Sequence, residues 1–346
     1  MTNNREFGAD VVRIAGMCLL LWLHFFLRNG FYYTPITDFG SFLPLIFRPI
    51  FMICVPLFAM LTGYLKCGKE WNRSYYKSLV SIIITWVFIS GIHLLYKIFI
   101  KNIEMSVGDW LVSFFGFQLA DYSWYIGMYI GLFLLSPLIN IVWNTVKTKK
   151  GHLAVVLTLA AVSFLPATIN SISTYFELEE NLLPAYFTQV YFLGYYAIGC
   201  YIKTYKPKIN RIVSVIIILT VSTVLGVLNM ISRKIPEEYY SGYNASYNNL
   251  AIAVLTTLFF LCIYQVNCRR SSVRLIAQII SSVVLEMYLL SYLFDSNIYP
   301  MFEGQYTSLD YIWVGLLMTF AVFVLSFVAA LIVHCICKTI ARCICK

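Results

Sequence analysis

Long apolar stretches recur along the whole chain of 346 residues, and they constrain its fold more than any other feature. Windows of about 20 mainly apolar residues are long enough to cross a bilayer as helices. Because hydrocarbon cannot satisfy backbone polar groups, such segments fold as helices and not as open sheets. We therefore predict an all-α polytopic membrane helix bundle with about ten transmembrane helices, at residues 9–27, 43–65, 78–100, 123–146, 152–172, 184–203, 210–231, 249–267, 275–296 and 309–337.

The lysines and arginines concentrate in alternate loops between these predicted helices. Such a bias marks the cytoplasmic side, so both the N- and the C-terminus are predicted to be cytoplasmic. Only 12% of the residues are charged, against about 25% in a soluble protein. The net charge of +9 is spread over several segments, which favours contact with anionic lipid and gives no sign of nucleic-acid binding. We expect one integral membrane domain over residues 1–346, without an attached soluble domain, in the plasma membrane of a bacterial cell as a multi-pass protein.

The first predicted helix carries three ionisable side chains, Asp10, Arg13 and His24. The eleven residues from Arg13 to His24 make about three helical turns, so both side chains lie on one face together with Asp10. Ionisable groups within a membrane span are costly and face the protein interior or a water-filled cavity. The alternative is an Asp10/Arg13 pair that snorkels to the interface, but that explanation leaves a deep histidine without a role.

Two further ionisable residues lie inside predicted spans. Arg48 precedes Pro49 in the second span and requires an anion or a set of carbonyl groups. It could hold the phosphate or carboxylate of a ligand, or it could pair with an acidic side chain. Glu286 in the ninth span is a plausible partner for Arg48 or His24.

The loop at residues 66–77 is basic and aromatic and includes Arg73 and Lys77. Interfacial anchoring explains this composition about as well as binding of a phosphorylated cytosolic donor does. All ten cysteines lie in predicted spans or on the cytoplasmic side, so no structural disulfide is expected. The cysteines near the C-terminus point apart on a continuing helix, and we expect no metal site.

Several of these stretches together resemble the acyltransferase-3 family of integral membrane acyltransferases. The family's pattern of a basic residue, ten intervening residues and a histidine is matched by Arg13 and His24. The similarity covers the whole chain and includes Asp10 before that arginine, Val55-Pro56-Leu57-Phe58 to Thr62-Gly63-Tyr64, Trp124-Tyr125 to Pro137, and Glu286-Met287-Tyr288-Leu289-Leu290. Three residues depart from the family pattern. Arg73 and Lys77 stand where many members carry two closely spaced arginines, and Ser291 stands where many have histidine.

The resemblance implies a membrane O-acetyltransferase that moves an acetyl group from cytosolic acetyl-CoA to a hydroxyl of a cell-surface polysaccharide or lipid-linked sugar. Acetyl-CoA is then the donor substrate. The other expected partners are the glycan or glycolipid acceptor and the lipid bilayer, with a homodimer as a possible assembly.

Within that reaction, His24 is expected to act as general base or acyl carrier, and Asp10 and Glu286 to orient it or balance charge. The expected contacts to the CoA phosphates are Arg13, Arg48, Arg73 and Lys77. A membrane transporter or flippase for a small solute or lipid-linked sugar is the alternative, since an intramembrane polar seam would serve that role as well.

Overall fold

The apolar stretches form α-helices in the computed structural model, which describes residues 6–33, 36, 38–70, 72–176, 178, 182–232, 246–303 and 310–344. The chain is 82% helix, and no strand occurs among these residues. The predicted all-α class is therefore confirmed. The helices are α1 (Phe7–Arg28), α2 (Phe39–Phe51), α3 (Cys54–Lys66), α4 (Arg73–Phe99), α5 (Val107–Phe115), α6 (Trp124–Thr145), α7 (Lys149–Tyr175), α8 (Tyr191–Tyr205), α9 (Arg211–Ser232), α10 (Leu250–Ile263), α11 (Ser271–Ser282), α12 (Val284–Ile298) and α13 (Tyr311–Ile344).

The number of membrane spans is smaller than the sequence predicts. Within the described residues, seven helical segments are long and apolar enough to cross a membrane, with α2 and α3 together counted as one (Phe39–Lys66), or eight if α11 and α12 form one bent span. The predicted spans at residues 184–203 and 249–267 contain helices of only 15 and 14 residues. At 1.5 Å per residue these helices are about 22 Å long, short of the roughly 30 Å hydrocarbon core. The count of about ten is not confirmed, and the cytoplasmic position of the termini stays a prediction.

The second predicted span is two helices with a break between them. The break falls at Met52 and Ile53, and Pro56, four residues after Met52, has no N–H to donate to the Met52 carbonyl group. Pro56 lies in the first turn of α3, where its missing N–H costs nothing. Arg48 therefore sits in the last turn of α2, beside the irregular backbone.

Two glycines bring α3 and α8 into close backbone contact. A Cβ atom at Gly63 would overlap the carbonyl group of Tyr196, and one at Gly199 would overlap the carbonyl oxygen of Met60. Small residues that let backbones approach in this way are typical of helix packing in membranes. The pair α3/α8 forms one wall of the bundle.

Helix α1 lies at the centre of the bundle and contacts α2, α3, α10, α11, α12 and α13. Its face toward these helices is fully buried at Val12, Met17 and Phe25. The α11/α12 pair packs along it with a bend of 64°. The surrounding helices thus shield the ionisable side chains of α1 from lipid, where they would be energetically unfavourable.

Candidate active site

His24 lies near the end of α1, and two contacts hold its ring. Its Nδ1 atom lies 3.1 Å from Oδ2 of Asp295 on α12. The ring stacks on Tyr122 with centroids 3.8 Å apart. A carboxylate accepts hydrogen bonds, so Nδ1 donates here and Nε2 keeps its lone pair. Among the described residues Nε2 has no hydrogen-bond partner, so it is the ring nitrogen that a ligand can reach.

The Asp295 carboxylate is fully buried and bound by further donors. The Tyr122 hydroxyl donates to both carboxylate oxygens at 3.0 Å. The Arg28 guanidinium lies 3.2 Å from Oδ1 and also donates to the Tyr122 hydroxyl at 2.8 Å. Burial, with the nearby Asp295 charge, raises the pKa of Tyr122 well above its ordinary value. The phenol therefore stays protonated, and the carboxylate is compensated on several sides.

Helical spacing explains why these residues meet. His24 and Arg28 are four residues apart on α1 and share a face. Tyr288 and Asp295 are seven residues apart on α12 and share a face in the same way. Tyr122 precedes α6, and its carbonyl oxygen accepts a 2.5 Å hydrogen bond from the Tyr288 hydroxyl. Three separate parts of the chain thus fix one histidine.

His24 lines a cavity of about 440 Å³, which we call the His24 cavity. Arg48 lines it too, and so do Gln189, Ser246 and Asn248. Most of the remaining wall is aromatic: Tyr32, Tyr122, Trp124, Tyr191, Tyr247 and Tyr288. Its size and its few polar groups on an aromatic wall are typical of small-molecule sites.

A second cavity of about 330 Å³ contains Arg13 and Lys66, and we call it the Arg13 cavity. Apolar side chains make up most of the rest of its lining, among them Phe58, Leu61 and Ile82. Leu20, Val55 and Tyr288 line both cavities, and we call these three residues the shared wall. The two cavities are therefore adjacent, and these three side chains line both of them.

Asp10 holds Arg13 at the edge of its cavity. The Arg13 guanidinium lies 3.2 Å from Oδ1 of Asp10, which is fully buried. The Ser281 hydroxyl of α11 donates to the same oxygen at 2.6 Å. Asp10 thus links α1 to α11 and orients Arg13. It does not contact His24, which lies about four turns farther along α1.

Lys66 is the second cation of the Arg13 cavity. Its ammonium group donates to the Ser78 hydroxyl at 3.2 Å and lies 4.2 Å from the centre of the Phe133 ring. Cations over aromatic faces are stabilised by the ring quadrupole. The charge is therefore fixed at the end of α3 next to the start of α4.

The predicted CoA-binding residues fall in different places. Arg13 lines its own cavity, whereas Arg48 lines the His24 cavity, where its Nε donates to the Tyr32 hydroxyl at 3.1 Å. Lys77 is exposed on α4 and lines neither cavity. The side chain of Arg73 lies outside the described residues. Arg13 and Arg48 therefore do not form one site.

The expected pairing of Glu286 with His24 or Arg48 is wrong. The Glu286 carboxylate binds Nδ1 of His334 on α13 at 2.7 Å. α12 starts at Val284 after the 64° bend, and this turn directs the first residues of α12 toward α13. Asp295, two and a half turns farther on, is the acid that reaches His24.

The sequence analysis did not identify four residues of this site: Arg28, Lys66, Tyr122 and Asp295. The i, i+4 spacing of His24 and Arg28 was a usable signal, because it puts both on one face. Nothing in the sequence linked Asp295 to α1, since 271 residues separate it from His24. Among the described residues, no group of three or more His, Cys, Asp or Glu side chains is arranged to hold a metal ion.

A membrane bundle with a buried His–Asp pair at one of two adjacent cavities is suited to transfer a group between two ligands. The chain matches the model of the acyltransferase-3 family, described as an acyltransferase domain, over residues 7–334. It therefore belongs to this family and is a multi-pass membrane acyltransferase. This membership favours an acyltransferase over a transporter. Neither the curated proteins nor the solved structures contain a match to the chain.

Proposed function

We propose that this acyltransferase is an O-acetyltransferase that moves acetyl from cytosolic acetyl-CoA to a hydroxyl of a cell-surface polysaccharide or lipid-linked sugar. The observation that carries the proposal is the contact between the two cavities at the shared wall, beside His24. In the proposed reaction, the acetyl end of a donor in one cavity extends to the shared wall, where the hydroxyl of an acceptor in the other cavity attacks it. Only the acetyl group would move between them.

The Arg13 cavity is the proposed donor site. The CoA phosphates are anionic, and Arg13 and Lys66 supply fixed positive charges at this cavity. The apolar lining suits the pantetheine arm and the acetyl group. Arg73 and Lys77 at the start of α4 are the proposed contacts for phosphate groups outside the cavity, and Asp10 acts as a positioning residue for Arg13.

His24 is the proposed general base. Its Nε2 takes the proton of the acceptor hydroxyl while the hydroxyl oxygen attacks the thioester carbonyl carbon. The carbon–sulfur bond then breaks, and the CoA sulfur takes the proton from Nε2 to leave as free thiol. Asp295, and not Glu286, keeps the proton of the resting ring on Nδ1 and stabilises the imidazolium. The acetyl ester and CoA are the only products.

The test is release of CoA from acetyl-CoA by the purified protein in detergent, followed by chromatography because thiol reagents would also modify the ten cysteines. Slow transfer to water makes the assay independent of the acceptor. His24→Gln should lower the rate by about 10²-fold or more, as expected for loss of a general base.

His152→Gln is the matched control, because His152 binds Tyr205 and the carbonyl of Trp143 and lines neither cavity. It should keep the wild-type rate. Monodisperse wild-type protein that neither binds acetyl-CoA nor releases CoA would overturn the proposal, and so would a His24→Gln variant with full activity.

A further inference from the structure

The charge balance of the His24 cavity points to the class of acceptor. Its described lining includes the cation Arg48 and no aspartate or glutamate. The nearest acid to the base, Asp295, lies behind the ring and is already bound by His24, Tyr122 and Arg28. Inside a bundle with a low dielectric constant, such a lining attracts an anion strongly.

Arg48 is held in place before any ligand arrives. Its side chain is only 8% exposed, and its Nε donates to the Tyr32 hydroxyl, which lines the same cavity. The Tyr32 ring also lies 5.5 Å from the guanidinium carbon. A guanidinium presents a planar fork of donors that matches a carboxylate or a phosphate in two parallel hydrogen bonds. A buried arginine is costly in a membrane bundle, so its presence indicates a function.

The remaining wall suits a sugar ring. Trp124 and Tyr247 stack at 5.9 Å with an interplanar angle of 19°, and Tyr191 and Tyr247 lie at 6.3 Å and 27°. These aromatic side chains line the cavity together with the amide groups of Gln189 and Asn248. Sugars present apolar C–H faces edged by hydroxyls, which need such a mixture of surfaces.

We infer that the acceptor is an anionic sugar, whose phosphate or carboxylate binds Arg48 while one of its hydroxyls lies at His24. The inference rests on the proposed function, because it concerns the acceptor of that reaction. Arg48 is then a specificity residue for the acceptor and not a ligand of CoA. The anion could be the phosphate of a lipid-linked sugar or the carboxylate of a uronic acid in a polysaccharide.

The experiment compares acceptors that differ in charge. Transfer of radiolabelled acetyl is measured to methyl glycosides, 1-phosphates and uronic acids of the glucose and galactose series. The wild type should show a KM about 10- to 100-fold lower for one anionic class than for the neutral glycosides, the range expected for a charged hydrogen-bonded contact. The preferred class identifies the source of the anion, phosphate or carboxylate.

Arg48→Gln should abolish this preference, and Arg48→Lys should keep part of it, since it retains charge without the planar fork. Arg211→Gln, at the exposed start of α9, is the matched control and should behave as the wild type. Equal KM values of the wild type for neutral and anionic acceptors would by themselves overturn the inference. So would CoA release without transfer to any anionic sugar, or an unchanged preference in Arg48→Gln. Absence of CoA release would instead count against the proposed function itself.

Discussion

Asp295 determines which nitrogen of His24 faces a ligand. Its Oδ2 atom lies 3.1 Å from Nδ1 and accepts a hydrogen bond from that nitrogen. The Tyr122 and Arg28 contacts keep the carboxylate in this position. In the proposed reaction, Asp295 fixes the tautomer of His24 and acts through it, as a positioning residue.

Replacing Asp295 by Asn tests this role through the contact between Nδ1 of His24 and the side chain of residue 295. The amide can donate to Nδ1, which would move the ring proton to Nε2 and remove the base. We expect kcat for CoA release to fall by about 10²- to 10⁴-fold, with KM for acetyl-CoA unchanged because Arg13 and Lys66 are untouched.

Glu286→Gln serves as the comparison for Asp295→Asn. The Glu286 carboxylate binds His334 and lines neither cavity, so its loss should reduce kcat far less. Equal losses in the two variants, or a change confined to KM in Asp295→Asn, would contradict the assignment of Asp295.

The sequence predicted one half of this site and missed the other for a physical reason. Arg13 and His24 could be placed on one helix face because helical spacing is a local property. The partner of His24 depends instead on which face of α12 packs on α1, and Glu286 and Asp295, nine residues apart, lie on opposite faces of that helix. Local spacing contains no information on this packing, and therefore Glu286 was chosen in place of Asp295.

At the level of elements, the helical class followed from apolar stretches alone, but the lengths of the helices did not. Hydropathy cannot separate a helix of 14 or 15 residues from the apolar turns beside it, which is why α8 and α10 were predicted as full spans. The break between α2 and α3 was visible as two prolines in one span. The position of Arg48 beside this break could be seen only in the structure.

The α3/α8 contact gives a prediction about stability. Gly63→Ala would bring a methyl group against the Tyr196 backbone, which cannot rotate away, so the two helices must separate. We expect a cost of about 1–3 kcal/mol or more, seen as a lower apparent Tm in detergent. Gly91→Ala on α4 is the control.

A Cβ at Gly91 meets nothing within 4 Å. The alanine there should leave Tm unchanged or raise it slightly, because alanine favours a helix over glycine by up to about 1 kcal/mol. Similar Tm values for the Gly63 and Gly91 variants would show that the α3/α8 contact is looser than described.

At the scale of the whole molecule, the bundle separates two ligand environments. The Arg13 cavity is apolar with two cations, and the His24 cavity is aromatic and polar. α1 contributes to both, with Arg13 in one and His24 in the other. The eleven residues from Arg13 to His24 therefore carry α1 from one cavity to the other. This explains why the two residues of the motif are spaced so far apart.

The shared wall also has a kinetic consequence. If donor and acceptor occupy different cavities, as proposed, free CoA does not block the position of the sugar. CoA should inhibit competitively against acetyl-CoA and noncompetitively against the acceptor in initial-rate measurements, whereas competition with the sugar would mean that both ligands share one cavity. Under the expected pattern, no excess of glycan relieves the inhibition. The ratio of acetyl-CoA to CoA in the cell, and not the supply of glycan, would then set how heavily the surface is modified.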